Sequence, residues 1–166
     1  MALPGDVVVR PARPEDWATV AALLVELGRG VAAGRADDST HRMQFAGHIR
    51  QLDSVTLVAE IDGAVIGMVD MEYHQRLGDH RPQARVHDIV VTEAARRRGV
   101  GEALLTRAEE LAIKRGCFRM TLVTAGWREG THRFYERHGW DDYGKWFVKP
   151  LTSEILPSGQ PARDDN

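Results

Sequence analysis

Cysteine is almost missing from this chain. Cys117 is the single one, so no disulfide can form within the chain and a reducing compartment is expected. Directly after a glycine that ends a helix, it is expected to pack rather than react. No apolar run approaches the length of a membrane span. Met1 to Arg10 lacks the basic flank and long apolar core of a secretory signal. Cytoplasmic placement and no membrane partner are therefore expected. A strong excess of either charge is also lacking: the formal net charge is −2, which argues against a surface built for nucleic acid. His41, His48, His74, His80, His132 and His138 show no cysteine or carboxylate at metal-ligand spacing, so no metal is expected. There is no Gly-x-Ser-x-Gly elbow and no internal repeat.

What is present suits one compact domain with its own core. Val7 to Arg10 reads as a short strand. Pro14, Glu15 and Asp16 launch a helix with Trp17, Val20, Ala21, Leu24 and Leu27 on its apolar face, and Gly28 and Gly30 end it. A shorter, polar helix is expected from Thr40 to Leu52. Val55 to Ile61 and Ala64 to Tyr73 form a hairpin about a two-residue type I′ turn at Asp62-Gly63. Gln75 to Gln83 is a polar loop. A strand from Arg85 and a long helix to Arg115 follow, with Gly116 as its cap. Then come a strand at Arg119 to Thr124, a loop at Ala125 to Gly130, a helix at Thr131 to His138 stopped by Gly139, and strand from Trp140, completed by Lys145 to Leu151. Thr152 to Asn166 is polar, with Pro157, Gly159 and Pro161, and reads as a disordered tail. The order predicts an α/β (α+β) class, with a mixed sheet flanked by helices.

The chain is organised around Arg85 to Gly101. Val86, Ile89, Val90 and Val91 supply a β-branched strand. Gly99 and Gly101 introduce an amphipathic run with Val100, Ala103, Leu104, Ala108, Leu111 and Ala112 on one face. A helix start leaves N–H groups unpaired and carries partial positive charge, so it attracts phosphate. The two glycines let a ligand lie against the backbone, and Arg96, Arg97 and Arg98 add positive charge. A pyrophosphate is the simplest ligand. A dinucleotide fold would need a third glycine and a ribose-binding acid; a P-loop would need Gly-Lys-Ser/Thr, but Glu102 follows Gly101.

The remaining pattern is Arg-x-x-Gly-x-Gly at Arg96, Gly99 and Gly101. With the strand before it and the helix after it, this resembles the GNAT superfamily of acyl-CoA-dependent N-acetyltransferases. The opening Val-Arg-Pro-Ala…Glu-Asp is similar too, as is Phe134-Tyr135-Glu136-Arg137-His138-Gly139-Trp140, which resembles the family's Phe-Tyr-x-x-x-Gly-Phe signature. The resemblance runs from Val7 to about Leu151. It implies a GNAT fold over 1–151, with a mostly antiparallel sheet, and acetyl-CoA as cosubstrate. It implies that Arg96, Arg97, Arg98, Gly99, Val100, Gly101 and Glu102 hold the cofactor, and that the pantetheine arm bonds to backbone at Ile89, Val90 and Val91 where this strand and the next splay apart. Tyr135 would protonate the departing thiolate. The family often has Asn seven residues before this Tyr and Ala four before it; here Arg128 and Thr131 stand there, which leaves Arg128 as a substitute cofactor contact. A homodimer is a family-level expectation.

An amine must lose a proton before attacking a thioester. His87, Asp88, Glu72 and Asp70 are the available groups. His87 sits where similar family members place a Glu or His that acts as base or relays through water, and histidine titrates near neutrality. Asp88 and Glu72 follow; alternation would send the His87 and Asp88 side chains to opposite faces of the strand. The expected activity is acetyl transfer to a primary amine by direct attack. Its rivals are an acyl-CoA-binding sensor without chemistry, and nucleic-acid binding through the arginines, which the acidic balance disfavours. The acceptor could be a small molecule or a peptide amine.

Overall fold

The computed structural model describes residues 7–29, 39–124 and 129–144. The chain divides into two compact units, one holding the described residues up to Thr121 and the other those from Leu122 onward.

The first unit is a sheet with helices on its faces. Its elements are β1 (Val8–Pro11), α1 (Trp17–Glu26), α2 (Ser39–His48), β2 (Ser54–Ile61), β3 (Ala64–His74), β4 (Gln83–Val91) and α3 (Val100–Lys114), leading into β5 (Met120–Leu122). The strands lie in sequence order. β1, β2, β3 and β4 pair antiparallel. β5 joins the start of β4: the Phe118 N–H donates to Pro82 O at 3.1 Å and the Ala84 N–H to Arg119 O at 3.1 Å. These bonds advance the same way on both strands, so β5 runs parallel to β4, as a helix crossover requires. Asp62 (φ 52°) and Gly63 (φ 78°) are both left-handed, the type I′ geometry that matches strand twist.

Each sheet face has its own core. On one, the cross-strand row Val58, Met68 and Val90 packs with Trp17, Val20, Ala21 and Leu23 of α1 and Phe45 of α2. On the other, α3 turns in Val100, Leu104, Leu105, Ala108 and Ala112, all buried. The spacing of these α3 residues is the period of one helical face. A methyl placed on Gly67 of β3 would meet Val90 O at 3.0 Å and Leu104 at 3.3 Å, so glycine there lets α3 lie close on the sheet.

The ends of the elements depart from the sequence expectation for local reasons. Proline at the first position makes Pro14–Asp16 a 3₁₀ turn that precedes α1. α2 stops at His48 rather than Leu52: the N–H groups of Arg50 and Gln51 donate three residues back, to Gly47 O and His48 O, so the chain tightens out of the α-helix. β5 ends at Leu122, and no strand is formed over 140–144; the expected strand at Lys145 to Leu151, the tail and Arg128 lie outside the described residues.

The start of α1 is fixed by charge. Arg10 of β1 grips Asp16 with two bonds, Nη1 to Oδ2 at 2.7 Å and Nη2 to Oδ1 at 2.9 Å. Its Nε donates to Glu60 of β2 at 2.8 Å, and the Arg13 N–H donates to Asp16 Oδ2 at 2.7 Å. Asp16 is 7% exposed. The hydrogen bond from Arg10 holds its carboxyl below the ordinary carboxylate range, against the opposing effect of burial. A depressed folded pKa contributes stability above the unfolded value of about 4, which is lost as pH falls through the folded value. Asp16→Asn is expected to cost about 1–3 kcal/mol at pH 7 in urea unfolding. The gap from the parent should narrow below about pH 4; a gap independent of pH would contradict the assignment.

The second unit contains α4 (Glu129–Arg137). Gly139 (φ 79°) turns the chain after it, and the Trp140 N–H returns to Tyr135 O at 3.1 Å.

Candidate active site

β4 is the element on which the site is built, and a bulge sets its use. Asp70 of β3 faces Asp88, but Met71 faces Val86, so His87 is one residue too many. The insertion inverts the strand's phase. Val86 pairs with Met71, whereas Val90 pairs with Met68 on the opposite face, although 86 and 90 are both even positions. Consequently His87 and Asp88 do not point to opposite faces as simple alternation predicts. Both line one cleft of about 460 Å³ on the α1 and α2 side of the sheet.

The cleft's other walls come from Trp17 and Leu24 of α1, Arg29 just beyond it, His41 and His48 of α2, and Asp70 of β3. Trp17 and His41 stack, 6.4 Å between centroids and 15° between planes. Polar groups are paired across elements. Arg29 donates to Asp88 Oδ1 from Nε at 3.0 Å and Nη2 at 2.7 Å. His87 Nε2 lies 3.2 Å from Glu72 Oε1. His48 Nε2 lies 2.8 Å from Asp70 Oδ1, which also accepts from the Thr56 hydroxyl at 2.7 Å. Sequence reasoning named Glu72 and Asp70 but missed Trp17, Arg29, His41 and His48 as site residues. No local spacing links these to β4; the packing of α1 and α2 on the sheet brings them together.

From Asp88, β4 continues through Ile89, Val90 and Val91 to the arginine–glycine turn. Strand rise gives about 10 Å over those three steps. Beyond Val91, Glu26 of α1 accepts the Thr92 hydroxyl at 2.9 Å and the Glu93 N–H at 3.1 Å. Ala95 and Val100 are buried, while residues 96–99 between them are exposed. The turn is thus pinned at both ends and open in the middle. Arg97 (φ 61°) and Gly99 (φ 78°) are left-handed, a conformation that costs a non-glycine residue about 1–2 kcal/mol. Such strain persists where surroundings impose it, often at ligand clamps.

The three arginines are not equivalent. Arg96 folds back, with Nε on Val91 O at 3.2 Å and Nη2 3.9 Å from Glu26. Arg97 and Arg98 are exposed. Gly99 is the N-cap of α3 and brings no side-chain hydrogen bond to the helix start. The first helical bond runs from the Ala103 N–H to Gly99 O at 2.9 Å, so the amides of Val100, Gly101 and Glu102 precede the ladder. This is the arrangement that receives an anion.

Comparison with known proteins identifies the family. The Acetyltransferase (GNAT) family model matches residues 21–140. The chain belongs to the GNAT acetyltransferase family. It is 29% identical over 143 residues to an aminoalkylphosphonate N-acetyltransferase of Salmonella typhimurium, covering 86% of this chain and 90% of that one. It is 33% identical over 138 residues to a mycothiol acetyltransferase of Geodermatophilus obscurus, covering 81% of this chain but only 42% of that relative's length. A solved structure, described as a transcriptional regulator from Bacillus halodurans C-125, superposes with a TM-score of 0.81 at 23% identity, over 88% of this chain and 100% of that one. At that identity the likeness is one of fold.

In this GNAT chain the remaining candidate, Tyr135, belongs to the second unit and the turn to the first. Tyr135 is buried. Its ring meets Phe134 edge-on at 5.4 Å and Trp140 at 5.8 Å. The family's aromatic signature therefore forms one cluster at the end of α4. Among the described residues no helix is long and apolar enough to cross a membrane.

Proposed function

We propose that this chain transfers the acetyl group of acetyl-CoA to a small-molecule primary amine by direct attack. One observation carries the reading: β4 runs from a cleft lined by His87 and Asp88 into an exposed, glycine-capped helix start. A single strand thus joins an acceptor cleft to an anion-binding turn.

The turn fits the coenzyme's diphosphate. Amides of residues 99–102 would receive its oxygens, and Arg97 and Arg98 would supply charge around it. The pantetheine arm would lie along the backbone of Ile89, Val90 and Val91. In this reading a backbone N–H of β4 polarises the thioester carbonyl. The amine attacks, a C–N bond forms and the C–S bond breaks. Tyr135 gives its proton to the thiolate. His87, with Asp88 beside it, takes the proton from the reacting nitrogen.

The acceptor class follows from the cleft. At about 460 Å³ it suits a small ligand. Paired carboxylates and histidines suit an amine, and the curated relative that the chain matches over most of its length acts, by its name, on aminoalkylphosphonates. A screen of aminoalkylphosphonates, amino acids and diamines with acetyl-CoA, read by mass shift and free-thiol release, tests the reading. Amine-dependent thiol release with a product 42 mass units heavier (about one acetyl for one hydrogen) is expected. Tight acetyl-CoA binding with no transfer to any amine would instead make the chain an acyl-CoA sensor.

A further inference from the structure

Two histidines of the cleft each pair with a carboxylate, His87 with Glu72 and His48 with Asp70, and the reaction uses only one histidine as described so far. An ammonium acceptor, however, must shed two protons from nitrogen. One leaves before attack, to free the lone pair. The other leaves the tetrahedral adduct as the amide forms.

We propose that His48 takes the first of these protons, with Asp70 as its positioning residue. This rests on the acetyltransfer reading above. Asp70 Oδ1 is fixed from behind by the Thr56 hydroxyl at 2.7 Å, and it meets His48 Nε2 at 2.8 Å. Thr56 and Asp70 are direct partners on β2 and β3, so the sheet itself sets their spacing. Asp70 is only 14% exposed and His48 is 39% exposed. The carboxylate is therefore sheltered while the ring opens to the cleft. With Nε2–H donating to Asp70, Nδ1 is the basic nitrogen, and it makes no hydrogen bond among the described residues. A carboxylate that orients an imidazole and offsets the charge it acquires is a recurrent device for a general base. Other charged or titratable groups on the cleft are Arg29, His41, His87 and Asp88. Of these, Arg29 and Asp88 neutralise each other.

Protons and electrons balance. RNH₃⁺ gives a proton to His48 and becomes RNH₂. The nitrogen then attacks the thioester, loses its second proton to His87, and thiolate leaves with the proton of Tyr135. His87 then gives up its proton and the Tyr135 phenolate takes one back, so both groups return to their starting states and the net release is one proton to solvent, through the exposed edge of His48.

Two acceptors of nearly equal size separate this role from a structural one: ethylamine, cationic at neutral pH, and methoxyamine, already neutral. With His48→Gln, kcat/KM for ethylamine at pH 7 should fall tenfold or more. It should recover as pH rises toward the amine's own pKa of about 10, while methoxyamine loses much less than ethylamine. His87→Gln should lower both. Equal loss on the two acceptors for His48→Gln, or no loss on either, overturns the proposal. A second readout needs no turnover: ¹⁵N NMR of the full chain should place the neutral His48 proton on Nε2, a preference that Asp70→Asn removes. A proton on Nδ1 overturns the assignment. If the parent chain acetylates no amine, the acetyltransfer reading fails by itself and the tautomer alone decides whether Asp70 orients His48 as stated.

Discussion

Gly101→Glu should weaken acetyl-CoA binding by a hundredfold or more while leaving the fold intact. Gly101 lies in the first turn of α3, among the amides that precede the helical ladder. A glutamate there would put a carboxylate beside the coenzyme's diphosphate. At about 5 Å and an effective dielectric near 20, each pair of like unit charges costs about 3 kcal/mol, or about a hundredfold in affinity. Folding works the other way. Glutamate is a better helix former than glycine by roughly 0.5–1 kcal/mol, and a negative charge is favoured in a first helical turn. Calorimetric titration should show lost binding in a protein that melts no lower than the parent. Gly101→Ala, which adds bulk without charge, should fall between the two. Intact binding in Gly101→Glu would remove the diphosphate from this turn.

Tyr135→Phe should lower kcat by about a hundredfold and leave the dissociation constant for acetyl-CoA within about twofold. General acids contribute roughly 10²–10⁴-fold. A thiol is a good leaving group, with a pKa near 8.5, so the smaller end of that range applies. Phenylalanine keeps the ring that packs on Phe134 and Trp140, so the aromatic cluster should hold. Thiol release with a good acceptor gives kcat; calorimetry gives affinity. An unchanged kcat would take Tyr135 out of the reaction, and a parallel loss of affinity would make it a binding residue instead.

The parts of the fold governed by local chemistry were legible in the sequence. Asp62-Gly63 dictated its own turn, because two left-handed residues are needed and these tolerate it. Val100, Leu104, Ala108 and Ala112 announced the buried face of α3 by spacing alone. The strand–turn–helix around residues 96–101 could be read from glycines and arginines. What could not be read depends on residues far apart. The bulge at His87 has no glycine or proline to mark it; it is visible only in the register of β4 against β3. That single insertion decides that His87 and Asp88 share a cleft. His48 and Asp70 stand on a helix and a strand with the hairpin's first arm between them, and no sequence period links the two. Glu26 serves the turn at Thr92 and Glu93 from the end of α1, again through packing rather than spacing.

The account depends most on where the coenzyme's diphosphate sits. The direct measurement is an amide NMR titration of the full chain with acetyl-CoA. Saturable shifts centred on the amides of Gly99, Val100, Gly101 and Glu102, with a second group at Ile89, Val90 and Val91, are the predicted result. Saturation with those amides unmoved, or no saturable change at all, would contradict it.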